Sequence, residues 1–169
     1  MRKLHEFIGG VLTEEGVRVA VSGDVMFGRF VGKEYHPLGI DDPLRGVKTV
    51  FEDADLSIVN LETPLFDGEP TWWKKYPLPE GYQRTLVAPT ERVHDLAGGS
   101  INFVSLANNH TDDAGFEGFS STVETLESAG IQHSGVSLDG DPFFPKILIV
   151  KGKPIAFFSV TLKRNFGLD

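Results

Sequence analysis

Three apolar runs of strand length, each broken at its carboxyl end by acid, amide or imidazole residues, constrain this chain more than any other feature. Val17-Arg18-Val19-Ala20-Val21 runs into Gly23-Asp24, and Leu56-Ser57-Ile58-Val59 runs into Asn60-Leu61-Glu62. Phe103-Val104-Ser105-Leu106 runs into Ala107-Asn108-Asn109-His110, with Asp113 and Gly115 following. Segments of helical periodicity lie between them, and such alternation builds a layered α/β fold. In these folds ligands gather beyond the carboxyl ends of the strands, where the loops converge. Asparagine offers a neutral carbonyl oxygen to a hard cation, and histidine ligates a metal or moves a proton. The expectation is one site assembled from three strand ends.

The remaining elements follow from pattern and punctuation. Val17 to Ser22 reads as a buried first strand and Leu56 to Asn60 as a second. Asp42 opens a helix with Pro43 at its first position and Leu44, Val47, Val50 and Phe51 at helical spacing. The stretch Thr63 to Gly81 holds both tryptophans and reads as a functional loop or lid. Arg84 to Ala88 is a candidate short strand. Thr90 caps a helix through Leu96, ended by Gly98-Gly99. Asn102 to Ala107 is the third strong strand. The helix after it carries Phe116, Phe119, Val123, Leu126 and Ala129 on one stripe and stops at Gly130. Ile131 to Ser134 reads as a short strand. Lys146 to Val150 and Ile155 to Val160 read as strands joined at Lys151-Gly152-Lys153. No internal repeat or linker divides the chain, so residues 1–169 read as a single domain.

At 169 residues the chain is long enough to bury roughly 70% of its unfolded surface. A net charge of −8 argues against nucleic acid as a partner, because binding phosphate backbones takes a basic footprint. With no cysteine, disulfides and thiolate metal sites are excluded, while the compartment is left open. No apolar run approaches the roughly 18 residues of a membrane span. Met1 to Gly10 has a basic start without the apolar core of a signal peptide, so an export signal or anchor is expected outside these residues.

Each candidate has a plainer role to compete with. Asp24 could simply cap the next turn. Glu62 could form an ion pair with Arg29, although an acid directly after a buried strand is seldom there for solubility. Turn chemistry accounts for one asparagine of Asn108-Asn109-His110 better than for two plus a histidine. Asp113 could cap the following helix or hold His110 in one tautomer. His5, His36, His94 and His133 have no partner motif, and His94 beside Asp95 reads as solvated. Trp72-Trp73-Lys74-Lys75 could grip an anionic polymer by stacking and charge, or pack the long loop onto the domain.

Three motifs, in order, resemble a known family. Gly23-Asp24-Val25-Met26-Phe27-Gly28-Arg29, Asn60-Leu61-Glu62-Thr63-Pro64-Leu65 and Ala107-Asn108-Asn109-His110-Thr111-Asp112-Asp113-Ala114-Gly115 are similar to the bacterial capsule-synthesis proteins. That family is associated with poly-γ-glutamate capsules and related to the calcineurin-like metallophosphoesterases. Downstream Thr122, Leu126, Gly130 and Gly135 also fit, and the likeness runs from about Val17 to Val160. It implies an α/β/β/α sandwich with a mixed, mainly parallel sheet and a metal centre at the strand ends. By that resemblance Asp24, Glu62 and Asn109 are metal ligands. His110 and Asp113 are the catalytic candidates, and Arg29 and Asn108 the substrate contacts. Oxygen and imidazole ligands without thiolate suit Mn, Fe, Mg or Zn.

Two features depart from the pattern. Met26 stands where phosphoesterases place a histidine, and a later histidine motif of the family is absent. The chain therefore resembles the N-terminal part of the family domain. The implied activity is metal-dependent phosphoester hydrolysis in capsule or poly-γ-glutamate biosynthesis, on an anionic polymer or phosphoester. With an incomplete ligand set, weak, readily lost metal binding and little hydrolysis are expected from this chain alone. The competing expectation is a non-catalytic module on the same fold that binds polymer or partners. Other capsule-biosynthesis proteins, and a second copy paired through an exposed sheet edge, are the expected protein partners. The resemblance suggests a membrane-associated or extracytoplasmic setting.

Overall fold

The computed structural model describes residues 16–29, 31, 43–69, 86–136 and 145–162. Its elements are β1 (Val19–Val25), α1 (Lys48–Glu52), β2 (Leu56–Leu61), α2 (Val93–Gly98), β3 (Phe103–Ser105), α3 (Gly115–Ser128), β4 (Gln132–Ser134), β5 (Lys146–Val150) and β6 (Lys153–Phe157). Strands β1 to β4 form one four-stranded parallel sheet in chain order, and β5 and β6 pair antiparallel in a sheet of their own. This is the α/β class that the alternating pattern implies. The expected helix start at Asp42, Trp72-Trp73-Lys74-Lys75, Arg84, His5 and His36 lie outside the described residues.

Register assigns the two faces of the sheet. Ala20, Ser57 and Val59 share one face with Val104 and His133, while Val19, Val21, Leu56, Ile58 and Phe103 share the other. The first face meets the helices. Val59, Leu61 and Val104 cluster there with Phe51 of α1, Val93 and Leu96 of α2, and Phe119, Val123 and Leu126 of α3. Each such buried side chain contributes about 1.5–3 kcal/mol of transfer free energy. The second face meets the hairpin, where the Phe103 and Phe157 rings lie 4.4 Å apart and the Ser134 and Ser159 hydroxyls are hydrogen-bonded at 2.5 Å. Helix layer, parallel sheet and hairpin thus stack in that order.

The helix ends explain how the strands are fed. After α3 the Gly130 N–H donates to the Glu127 carbonyl and the Ile131 N–H to the Leu126 carbonyl, with Gly130 at φ +73. This pairing closes the last turn around a left-handed residue and drops an apolar side chain back onto the helix. The end of α2 repeats it, with Ser100 donating to Ala97 and Ile101 to Leu96. There the left-handed residue is Ser100 (φ 61), one position beyond the Gly98-Gly99 pair read as the stop. The β5–β6 turn is Lys151-Gly152, both at positive φ (49 and 74), as a two-residue hairpin of this hand requires.

Several expectations are corrected. Among the described residues β1 is an edge strand, and it is not buried: Val19 is 46% and Val21 70% exposed. Pro43 to Val47 is turn rather than helix, so α1 starts at Lys48 and buries only Phe51. Thr90 begins a 3-10 turn (Thr90–Arg92), and its hydroxyl and N–H both donate to Asp67 instead of capping α2. Those two bonds hold the Asp67 carboxyl below its ordinary range. On α3, Phe119, Val123 and Leu126 are buried as expected, but Phe116 overhangs the first turn and is 63% exposed.

Candidate functional site

A break in the β1–β2 ladder decides where Asp24 points. Val21 pairs with Ile58, yet the next partners are Asp24 with Asn60 and Val25 with Leu61. Three residues of β1 therefore span two of β2, which is a β-bulge. Strict alternation from Val21 would have sent Asp24 to the helix side and Val25 to the hairpin side. The extra residue inverts both, so Val25 joins the core and Asp24 stands beside Asn60. Bulges commonly re-aim a side chain next to a site in this way.

From Asp24 a line of side-chain hydrogen bonds crosses the strand ends. Asn60 Nδ2 donates to Asp24 Oδ1 at 2.8 Å. Asn108 Nδ2 donates to Asn60 Oδ1 at 3.1 Å and to the Leu61 carbonyl at 2.9 Å. Asn108 Oδ1 in turn accepts the His110 N–H at 3.0 Å. Asn108 is buried, 7% exposed, so its amide is satisfied by protein at both ends. The turn is closed by the Thr111 hydroxyl, which donates to the Leu106 carbonyl.

His110 is backed by a carboxylate. Its Nδ1 lies 2.8 Å from Asp113 Oδ2, and Asp113 is fully buried. The same oxygen accepts the Leu86 N–H at 2.7 Å. An ionised carboxylate only accepts, so opposite one the facing Nδ1 is the nitrogen that donates. Of the two places open to Asp113, its carboxylate lies against the His110 ring. No side chain caps α3 at Ala114. Leu86 passes close over the site, and a Cβ on Gly28 would sit 2.4 Å from the Leu86 carbonyl oxygen. That contact is why glycine stands at residue 28. Thr63 ties the second motif to the first by accepting the Phe27 N–H at 2.9 Å.

The candidates are thus placed as follows. Asp24, Asn108, His110 and Asp113 belong to one connected network at the carboxyl ends of β1, β2 and β3. Glu62 follows β2 half-buried, its N–H donating to the Val25 carbonyl. Among the described residues no ion pair joins Glu62 to Arg29. Asn109 sits half-buried in the turn between Asn108 and His110, and Arg29 is half-buried at φ 52. Among the described residues no group of three or more His, Cys, Asp and Glu side chains gathers to hold a metal. Asn60 is the member to which sequence reading gave no role. Its signal was position, as the first polar residue at the end of β2. A groove of about 550 Å³ lined by Thr90, His94, Ser121 and Glu124 shares none of these residues.

Comparison with known proteins gives the same direction. The chain is 30% identical over 134 residues to the protein y4sH of Sinorhizobium fredii, covering 78% of this chain and 28% of that protein. It is 27% identical over 126 residues to the capsule biosynthesis protein CapA of Bacillus anthracis, covering 72% of this chain and 28% of CapA. It is 30% identical over 101 residues to the PGA biosynthesis protein CapA of Bacillus subtilis strain 168, covering 60% and 25%. The matched segments therefore span about a quarter of the length of these relatives. A family model described as bacterial capsule synthesis protein PGA_cap matches residues 18–167, and the chain belongs to that family.

Proposed function

We propose that this chain carries the strand-end part of a metal-dependent, phosphoesterase-like centre serving capsule or poly-γ-glutamate biosynthesis. The observation that carries the reading is the connected line Asp24–Asn60–Asn108–His110–Asp113 across three parallel strand ends. Family membership supports the biological setting.

The donor chemistry of these residues, more than any gathered ligand group, supports an oxygen-preferring divalent cation. Asp24 is exposed, and among the described residues only its Oδ1 has a hydrogen-bond partner. Asp24, with Glu62 and Asn109 of the neighbouring strand-end turns, would hold it, which leaves His110 for the substrate. Mn, Fe, Mg and Zn all accept such donors. When bound, a cation of this kind activates water and neutralises charge developing at a phosphorus centre.

The chain's own contribution is positional. Asp113 holds the His110 ring in the Nδ1–H tautomer, so Nε2 is the nitrogen that exchanges a proton with, or contacts, a phosphoryl oxygen. Asn108 fixes the main chain of the His110 turn against Leu61. Arg29 supplies positive charge beside the first motif for an anionic polymer or phosphoester. With so few ionisable ligands among the described residues, binding is weak and turnover slow in this chain alone.

Calorimetric titration with Mn2+, together with hydrolysis of bis(p-nitrophenyl) phosphate, tests the reading. Mn2+ uptake that is lost in Asp24→Ala supports it. A specific polymer or protein ligand, with no Mn2+ uptake at any concentration, would favour the non-catalytic binding module. The absence of a three-residue His, Cys, Asp and Glu group among the described residues is the observation on that side.

A further inference from the structure

The amides between Asp24 and His110 have only one possible orientation. Asp24 Oδ1 accepts, so Asn60 must turn its Nδ2 toward it and its Oδ1 toward Asn108. The Leu61 carbonyl also only accepts and the His110 N–H only donates, so Asn108 must face Nδ2 to β2 and Oδ1 to the turn. The three side-chain-mediated bonds consequently run head to tail, each donor pointing toward the carboxylate. A chain aligned this way polarises along its length, strengthening each bond by about 10–30%.

We propose that Asn60 is a positioning residue with two linked roles. It fixes the Asp24 carboxylate for a divalent cation, and it couples the Asp24 side chain through Asn108 to the backbone of the His110 turn. The cation role rests on the function proposed above; the transmission role does not. Asn60 suits the task because β2 is central in the sheet, paired with β1 on one side and β3 on the other. A side chain at its end reaches both neighbouring strand ends. The bulge in β1 is what sets Asp24 opposite it.

Two measurements separate the roles. In 15N–1H spectra, Asp24→Asn should move the His110 amide resonance in the wild-type background and leave it in place when Asn60→Ala is also present. An equal shift in both backgrounds, or none in either, would overturn the transmission role. Should Asn60→Ala fail to fold, Asn60→Asp replaces it, since it keeps the shape but cannot donate to Asp24 when ionised.

In calorimetric titrations with Mn2+, Asn60→Ala and Asn60→Asp should both weaken binding about 10–100-fold, the usual range for a group that orients a ligand. The melting temperature of Asn60→Ala should stay near that of the wild type. Unchanged affinity in Asn60→Ala overturns the orienting role, and tighter binding by Asn60→Asp makes residue 60 a ligand position instead. A wild-type chain that takes up no Mn2+ refutes the function proposed above and the orienting role with it. The His110 shifts still decide transmission.

Discussion

Replacing Asn108 with alanine strips three bonds from the site at once, along with a longer one from the Thr111 hydroxyl at 3.3 Å. The Leu61 carbonyl, Asn60 Oδ1 and the His110 N–H each lose their partner in that side chain. An intramolecular hydrogen bond contributes about 1 kcal/mol net, and a buried group left unpaired costs about 1–3 kcal/mol. Asn108 and the Leu61 bond are buried, whereas the other two bonds are part-buried and water can reach them. The expected loss is therefore about 3 kcal/mol, with the Leu61 carbonyl contributing most. With a urea m-value of about 2 kcal/mol/M, the unfolding midpoint should drop by about 1.5 M. Ser120→Ala serves as control, because it removes only the exposed bond to Glu124 and should fall within about 0.5 kcal/mol of the parent. An Asn108→Ala midpoint no lower than that of the control would refute the reasoning. The network would then be decoration on a turn held by Thr111 and the backbone.

Four further outcomes follow from the geometry. Any Mn2+-dependent phosphodiester hydrolysis should fall about 10²–10⁴-fold in His110→Ala while the melting temperature stays near that of the parent; equal turnover with a large melting loss would mark His110 as structural. His133 has its pKa lowered from 6.5, chiefly by burial and also by Lys146, against the raising effect of Glu127. The unfolded state then binds more protons, so this contribution is full above 6.5 and is lost as pH falls below it toward the native value. Urea midpoints across that window should fall less in His133→Gln than in the wild type. Gly28→Ala should cost about 1–3 kcal/mol, because its Cβ meets the Leu86 main chain at 2.4 Å and nothing there is a flexible side-chain end; an unchanged melting temperature would show that the Leu86 segment yields. Val21 is 70% exposed on an edge strand, so sedimentation velocity should show a concentration-dependent dimer that Val21→Lys weakens; a monomer at every concentration counts against self-association through this edge.

Periodicity made the layers legible, because β2, β3 and α3 are covered where their apolar residues fall. Val59, Leu61 and Val104 meet Phe119, Val123 and Leu126, as strand and helix spacing implied. The same reasoning misjudged β1, since an apolar run says nothing about whether a neighbour extends far enough to cover it. It also misplaced helix starts. Pro43 and Thr90 are good first-turn residues, but Asp67 takes both Thr90 donors and a 3-10 turn results. At the site, the acids, amides and histidine were visible as punctuation. Which of them touch was not, because contact depends on register between strands more than 35 residues apart, as in the Asn60–Asp24 bond.

The bulge shows what that register controls. Strand alternation read from Val17 to Ser22 assigns Asp24 to the core-facing side, where an ionised carboxylate would face Phe51 and Leu61 without a partner. One inserted residue removes this liability. Val25 takes the buried position, and Asp24 moves to the exposed side, within 2.8 Å of an amide at the end of the central strand. The sheet gains an apolar contact and presents an acid with the same local distortion. The filled core and the exposed acid therefore depend on the same backbone irregularity. Asn60, carrying no charge and following no metal-ligand pattern, becomes the residue through which Asp24 and the His110 turn are joined.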